Sequence, residues 1–258
     1  MMQAAQIREI MSRPATIAKS ASITEALDRM LEQGADPLIV THNGAVVGTV
    51  SRKAIADILG SRRNSSISPN SLHVSSSMES DFTVAYGNQE IDILIPLLQR
   101  YKLVVVLDEE HRLLGQVTAG DLLKAIEPEA ELEEMLEPAY TIQSEERVVH
   151  LRRRMIDERI NRFIVMENDR MVGIVTETDV AKAMRSFREL VEDKHQDHRI
   201  RNLLVRDIMS SPVLTVEKGT PVRDVIELML KKNISGIPVS EAGEIIGFVT
   251  KDSLVKAL

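Results

Sequence analysis

Residues 171–180, MVGIVTETDV, read as a short apolar strand holding one glycine, then a Thr-x-x-Asp step into a helix. The same phrase stands at 113–122 as LLGQVTAGDL, at 245–254 as IIGFVTKDSL and at 46–55 as VVGTVSRKAI. A phrase used four times in one chain marks an internal repeat, and a repeat decides the architecture before any single element does.

The surroundings of each phrase repeat too. Ile7-Arg8-Glu9-Ile10-Met11-Ser12 and Val205-Arg206-Asp207-Ile208-Met209-Ser210 are short amphipathic turns, followed by Pro14 and Pro212 and then by extended residues. In the first unit Ile23, Ala26, Leu27, Met30 and Leu31 recur at helical spacing. Ser22 reads as the N-cap, Glu25 as its capping-box partner and Gly34 as the C′ residue. Leu38-Ile39-Val40, the His42-Asn43-Gly44 turn, a strand over 45–50 and a helix over 52–59 complete the unit. The order is extended segment, helix, strand, strand, helix. In the second unit a helix is expected over 89–100, bent at Pro96.

These patterns divide the chain into a first unit over 1–60, a Ser-rich solvated linker over 61–73, a second unit over 74–126, a third over 127–186, a charged helical connection over 187–203 and a fourth unit over 204–258. The fold class is α/β in the α+β sense, each unit a small mixed sheet with flanking helices. A unit of ~50–60 residues buries too little surface alone. Units one and two, then three and four, are therefore expected to pair.

Composition narrows the function. Of the 258 residues 43% are hydrophobic but only 3% aromatic, so the cores are aliphatic. Net charge is −7 with acids and bases interspersed, which argues against nucleic-acid binding driven by net charge. The chain has no cysteine, hence no disulfides, thiol chemistry or cysteine-based zinc sites. No apolar run reaches ~18 residues, and the first residues lack a secretory apolar region. A cytoplasmic protein without membrane spans is the expectation.

The four phrases, the Met-Ser-x-Pro openings and the Ile237-Pro238-Val239 strand resemble the CBS domain, named after cystathionine β-synthase, in four tandem copies. The resemblance covers nearly the whole chain. It implies two Bateman modules of two units each, stacked as a disc, and a regulatory role through an adenosyl ligand: AMP, ADP, ATP or S-adenosylmethionine. It also implies that the aspartate of Thr-x-x-Asp holds the ribose hydroxyls, that the threonine helps hold ribose or phosphate, and that adenine lies between the extended segment and the strand before the hairpin.

The residue types suit that chemistry. An ionised carboxylate only accepts, and so takes both ribose hydroxyls. Thr176 and Asp179 form the most complete pair; Thr118 and Asp121 form the second. In the fourth unit Thr250 is kept, Ser253 replaces the aspartate and Asp252 comes one residue early; the first unit has Ser51 and Ala54, which weaken a ribose clamp. Thr-x-x-Asp is equally an ordinary helix cap, and that reading stays open. Adenine walls are expected from Ile142, Ile164 and Val165 behind Thr141, and from Val216, Ile237 and Pro238 behind Thr215. Arg162 and Lys102, each at the head of a strand, are candidate phosphate contacts. Arg152, Arg153 and Arg154 spread around a helix axis, and His195 and His198 make an i, i+3 pair that lacks further metal ligands.

No catalytic constellation, Walker-type loop or HExxH is present. The leading expectation is a non-catalytic sensor of adenosine-containing ligands, acting on another protein and assembling as a homo-oligomer, such as a dimer. The alternatives are an RNA-associated module using Arg62, Arg63 and Arg152–Arg154, and an assembly module with vestigial clefts.

Overall fold

The structure, a computed structural model, describes residues 5–59, 67–190 and 202–258, and for 187–190 the backbone alone. Four copies of one small sheet carry it. The first unit runs β1 (Thr16–Ala18), α2 (Ile23–Gln33), β2 (Leu38–His42), β3 (Ala45–Val50) and α3 (Arg52–Leu59), after a short α1 (Ile7–Ile10). The second has β4 (Thr83–Tyr86), α4 (Leu94–Arg100), β5 (Leu103–Leu107), β6 (Leu113–Thr118) and α5 (Ala119–Ala125). The third has β7 (Thr141–Gln143), α6 (Val148–Asp157), β8 (Arg162–Glu167), β9 (Arg170–Thr176) and α7 (Glu177–Leu190). The fourth has β10 (Val216–Glu217), α8 (Val222–Lys232), β11 (Gly236–Glu241), β12 (Glu244–Thr250) and α9 (Lys251–Lys256).

In every unit the first strand pairs in parallel with the second across a helical crossover, and the second pairs antiparallel with the third through a hairpin. Local chemistry explains the tight hairpins. Asn43-Gly44, Asn168-Asp169 and Ala242-Gly243 hold φ values of 49° and 81°, 48° and 59°, and 53° and 86°. Two successive left-handed residues match the twist of a two-residue hairpin, and Asn, Asp and Gly adopt that conformation most cheaply.

Helix ends follow the expected caps in part. The Ser22 hydroxyl accepts from the Glu25 N–H, and Gly34 closes α2 at φ 62°. The expected helix over 89–100 instead starts as a 3-10 turn, Ile91–Ile93, and becomes α-helical at Leu94. Pro96 thus falls in the first turn, where no intrahelical partner is lost, and it does not bend a helix interior.

The Ser-rich segment also differs from expectation. Residues 60–66, with Arg62 and Arg63, lie outside the described residues. Beyond them Leu72 and Val74 are buried at 7% and 0% exposure in the core of the first unit. Ile23 N–H bonds Leu72 O at 2.9 Å and Val74 N–H bonds Ala21 O at 2.9 Å. This part is a packed strap, because two apolar side chains amid the serines outweigh local polarity. Of the charged connection, α7 reaches Leu190, and residues 191–201, with His195 and His198, lie outside the described residues.

The four units pack in two ways. Helical layers join the first unit to the third: Ile55, Ala56 and Leu59 share one core with Val180, Ala181 and Met184. They likewise join the second to the fourth, where Leu122 and Leu123 share a core with Leu254 and Val255. Sheet faces join the first to the second, with Ile39 against Leu103, Val105 and Leu107.

The repeated glycine explains the remaining contacts. The segment opening each unit crosses to the last strand of its pair mate: Ser12 bridges Gln116, Glu79 bridges Thr49, Ser210 bridges Ile174 and Glu137 bridges Phe248. A Cβ on Gly173 would lie 2.5 Å from Met209 Sδ, and one on Gly115 would lie 2.9 Å from Met11 Sδ and from Ser12 O. On Gly247 it would meet Glu137 O at 3.0 Å, and on Gly48 it would collide with Glu79 O. The glycine is there because a backbone strap lies on the strand at that point. These straps tie the first unit to the second and the third to the fourth.

Candidate functional site

In the second, third and fourth units the third strand ends at the threonine of the phrase, Thr118, Thr176 and Thr250, where the chain turns into the closing helix. At the Asp179 mouth, Thr176 N–H and Thr176 Oγ1 donate to Asp179 Oδ2 at 2.8 and 2.6 Å. At the Asp121 mouth, Thr118 N–H and Oγ1 donate to Asp121 Oδ2 at 3.0 and 2.7 Å, and Asp121 N–H donates to Thr118 Oγ1 at 3.3 Å. Both carboxylates therefore cap their helices. Capping occupies mainly one oxygen of each, and a carboxylate has about four acceptor positions, so a cap and a ligand contact are compatible.

The crossing straps add a third group, which reading the phrase alone misses. Ser210 Oγ, at the opening of the fourth unit, donates to Asp179 Oδ1 at 3.1 Å. Ser12 Oγ, at the opening of the first unit, donates to Asp121 Oδ2 at 3.1 Å. Each carboxylate is thus built by two units: strand and helix from one, serine from its mate. The serines are in the Met-Ser-x-Pro phrase, but only pairing shows which carboxylate each one meets. Beside Ser12, Gln116 Oε1 of the second unit accepts from the Ala15 N–H of the first at 2.9 Å.

The fourth unit is different. Thr250 N–H donates to Ser253 Oγ at 3.0 Å, Ser253 N–H to Thr250 Oγ1 at 2.9 Å, and Ser253 Oγ to Thr250 O at 3.0 Å. Thr250 and Ser253 are buried at 1% and 6% exposure. Both hydroxyls are spent on the cap. Asp252 is exposed and faces Arg162 electrostatically.

Arg162 lies between the third and fourth units. Its Nε donates to Asn161 Oδ1 at 2.8 Å, its guanidinium carbon is 5.9 Å from the centre of the Phe248 ring, and Gly236 leaves room for its Nη1. Burial pushes its pKa down, and Asp252, Glu137 and Glu177 pull it back up. These three carboxylates act on the cation electrostatically, without an ion pair to it within 4 Å among the described residues. Glu177, first residue of α7, has its carboxyl pushed up by burial; Lys102 and Lys53 oppose that shift, and Asp36 and Asp57 add to it. Lys102 is exposed and acts across units on Glu177.

The adenine-wall candidates fall on two faces. Ile142 and Val165 belong to the helix-side core of units one and three, and Val216 and Ile237 to that of units two and four. A strand's side chains alternate, so Ile164 and Pro238, also buried, stand outside those cores on the opposite face. Thr141 is exposed, with its carbonyl taken by Arg154 Nη1 at 2.9 Å; Thr215 is half-buried.

The arginine run is engaged within the fold. Arg152 faces Asp57 of the first unit at 3.8 Å, Arg153 pairs with Asp157 at 3.3 Å, and Arg154 pairs with Glu158 at 2.8 Å. Arg154 also lies 4.6 Å over the Phe163 ring. Among the described residues no group of His, Cys, Asp and Glu could hold a metal ion, and no helix is long and apolar enough to cross a membrane.

Four stretches, residues 7–61, 73–128, 130–186 and 205–258, match the CBS domain. MJ1225, an uncharacterized protein of Methanocaldococcus jannaschii, is 24% identical over 279 residues, covering 99% of this chain and 97% of that protein. Its crystal structure, that of a candidate archaeal homologue of g-AMPK, matches with a TM-score of 0.81 at 23% identity, over 98% of this chain and 99% of that one. The crystal structure of an uncharacterized conserved protein from Pyrococcus horikoshii matches with a TM-score of 0.63 at 21% identity, over 98% and 99% of the two chains. At such identities the structural likeness speaks for the fold alone.

Proposed function

The chain belongs to the CBS domain family, with four copies in tandem, and from that premise we propose that it is a non-catalytic sensor of adenosine-containing ligands. The observation that carries the reading is the two-unit construction of the Asp121 and Asp179 sites. Each carboxylate is held by the threonine of its own unit and by a serine strap from its mate.

A ribose offers two vicinal hydroxyls to such a carboxylate, each bond charge-assisted. To accept them, Asp179 releases Ser210 from Oδ1 or shares that oxygen with it. The strap bearing Ser210 leads directly into β10 of the fourth unit. Ligand binding at Asp179 therefore bears on the angle between two units, and a partner protein that prefers one angle reads the ligand as a shift in population. Thr118, Asp121, Thr176 and Asp179 hold ribose in this reading, with Ile164 and Pro238 as the wall candidates that face away from the helix-side cores. Calorimetric titration with adenosine, AMP, ADP, ATP and S-adenosylmethionine is the test. Binding by at least one, lost on Asp179→Ala or Asp121→Ala, is expected; no heat from any of them at millimolar concentration refutes the proposal.

A further inference from the structure

The two carboxylate sites differ in the cation that the opposite helical layer brings to them. Helices α5 and α9 pack together in the shared core of units two and four, as α3 and α7 do in units one and three. In both cases the residue after the threonine position of the phrase crosses the layer: Lys251 after Thr250 in the fourth unit, Arg52 after Ser51 in the first. Their fates are opposite. Arg52 is tied down, its Nη1 donating to Thr178 Oγ1 at 3.2 Å and its Nη2 to Met30 O at 3.0 Å and Ala35 O at 3.3 Å. Lys251 meets Gly120 where Arg52 meets Thr178. A Cβ on Gly120 would lie 3.5 Å from Lys251 Nζ, and the glycine offers no hydroxyl to accept from it.

Lys251 Nζ consequently makes no hydrogen bond and no ion pair within 4 Å among the described residues, though it is half-buried. Burial depresses its pKa; Asp121 raises it, Lys124 lowers it and Asp252 raises it. Lys124 Nζ lies 3.5 Å from Asp121 Oδ1. Two ammonium groups thus act on one carboxylate, Lys124 in an ion pair and Lys251 from beyond 4 Å. An anion lying between them would relieve their mutual repulsion and give Lys251 the partner it lacks. At the Asp179 site the crossing cation is spent on Thr178, and Glu177 adds a half-buried carboxyl where the second unit has Ala119.

We propose that Lys251 is a ligand-binding residue of the Asp121 site that contacts phosphate, so that this site takes phosphate-bearing adenosine nucleotides while the Asp179 site takes phosphate-free or cationic adenosyl compounds. This rests on the adenosyl-ligand reading above and assigns each site its class of ligand.

The test uses the full chain carrying Asp179→Ala, so that the Asp121 site alone reports, titrated with ATP and with adenosine. Lys251→Met is expected to weaken ATP about ten- to a hundredfold, the range of one charge-assisted contact, while adenosine affinity stays within about twofold. Lys251→Arg restores most of the ATP affinity. ATP affinity falls with added salt, and Lys251→Met flattens that dependence. Equal losses for both ligands would mean that Lys251 acts on the fold and would overturn the proposal, as would an unchanged ATP affinity. Adenosine binding in the variant also shows that it folds. If the parent chain binds neither ligand at either site, the adenosyl-ligand reading itself fails, a result distinct from a parent that binds and a Lys251 variant that makes no difference.

Discussion

Gly173→Ala probes the strap that completes the Asp179 site. The added Cβ would stand 2.5 Å from Met209 Sδ, 3.0 Å from Met209 Cγ and 3.1 Å from Ser210 O. The methionine end can swing away, but the carbonyl belongs to backbone held by two bonds, Ile174 N–H to Ser210 O at 3.0 Å and Ser210 N–H to Ile174 O at 2.8 Å. Lifting the strap weakens both and withdraws Ser210 Oγ from Asp179. Overpacking typically costs about 1–3 kcal/mol, and each weakened bond adds about 0.5–1.5 kcal/mol. A loss of roughly 2–6 kcal/mol follows, which for a chain of this size lowers the melting temperature by roughly 4–24 °C. Urea and thermal unfolding by circular dichroism measure it. Gly87→Ala is the control, because a Cβ there makes only ordinary contacts, the nearest 3.5 Å from Arg8 Cβ. If Gly173→Ala unfolds with the wild-type midpoint, the strap does not need the glycine and the account of the repeated phrase is wrong.

Other perturbations separate capping from ligand binding. Asp179→Ala should lose about 0.5–2 kcal/mol of stability, as a cap does, and about 1.5–3 kcal/mol of adenosyl-ligand affinity; a stability loss alone, with titration unchanged, leaves only the cap. Thr250→Ala should cost about 0.5–2 kcal/mol in denaturant unfolding and leave ligand stoichiometry as it is, because its hydroxyl serves Ser253. Glu177 has a carboxyl pKa raised above its ordinary 4.5 by burial. The folded state therefore holds its proton more tightly than the unfolded chain, and the associated stability is fully present below 4.5 and lost as pH rises through the folded value. Glu177→Gln should accordingly be more stable than wild type at pH ~7, with the advantage shrinking toward pH ~4; a difference in melting temperature that is flat across that range contradicts the assignment.

Much of the architecture is local and so is written in the chain. Strand and glycine recur four times, the threonine three times and the aspartate twice, and Asn-Gly or Asn-Asp sets hairpin geometry within two residues. The Thr-x-x-Asp cap closes within one helical turn, so Thr118 with Asp121 and Thr176 with Asp179 are legible without a fold. Even the failures of local reading have local causes. Pro96 reads as a bend until the helix is seen to start at Leu94, and Leu72 and Val74 are too few among the serines to announce a buried strap.

The phrase MVGIVTETDV thus specified its own strand, turn and cap, because the interacting groups lie within a few residues of one another. Tertiary structure decided what reaches that cap from a distance. Ser210 comes to Asp179 from 31 residues away and Ser12 to Asp121 from 109. Arg52 crosses to Thr178 over 126 residues. Those meetings depend on which sheets face each other and which helices share a core. That choice is made by burying the apolar faces of all four units at once, a global balance of surface area that no ten-residue window contains.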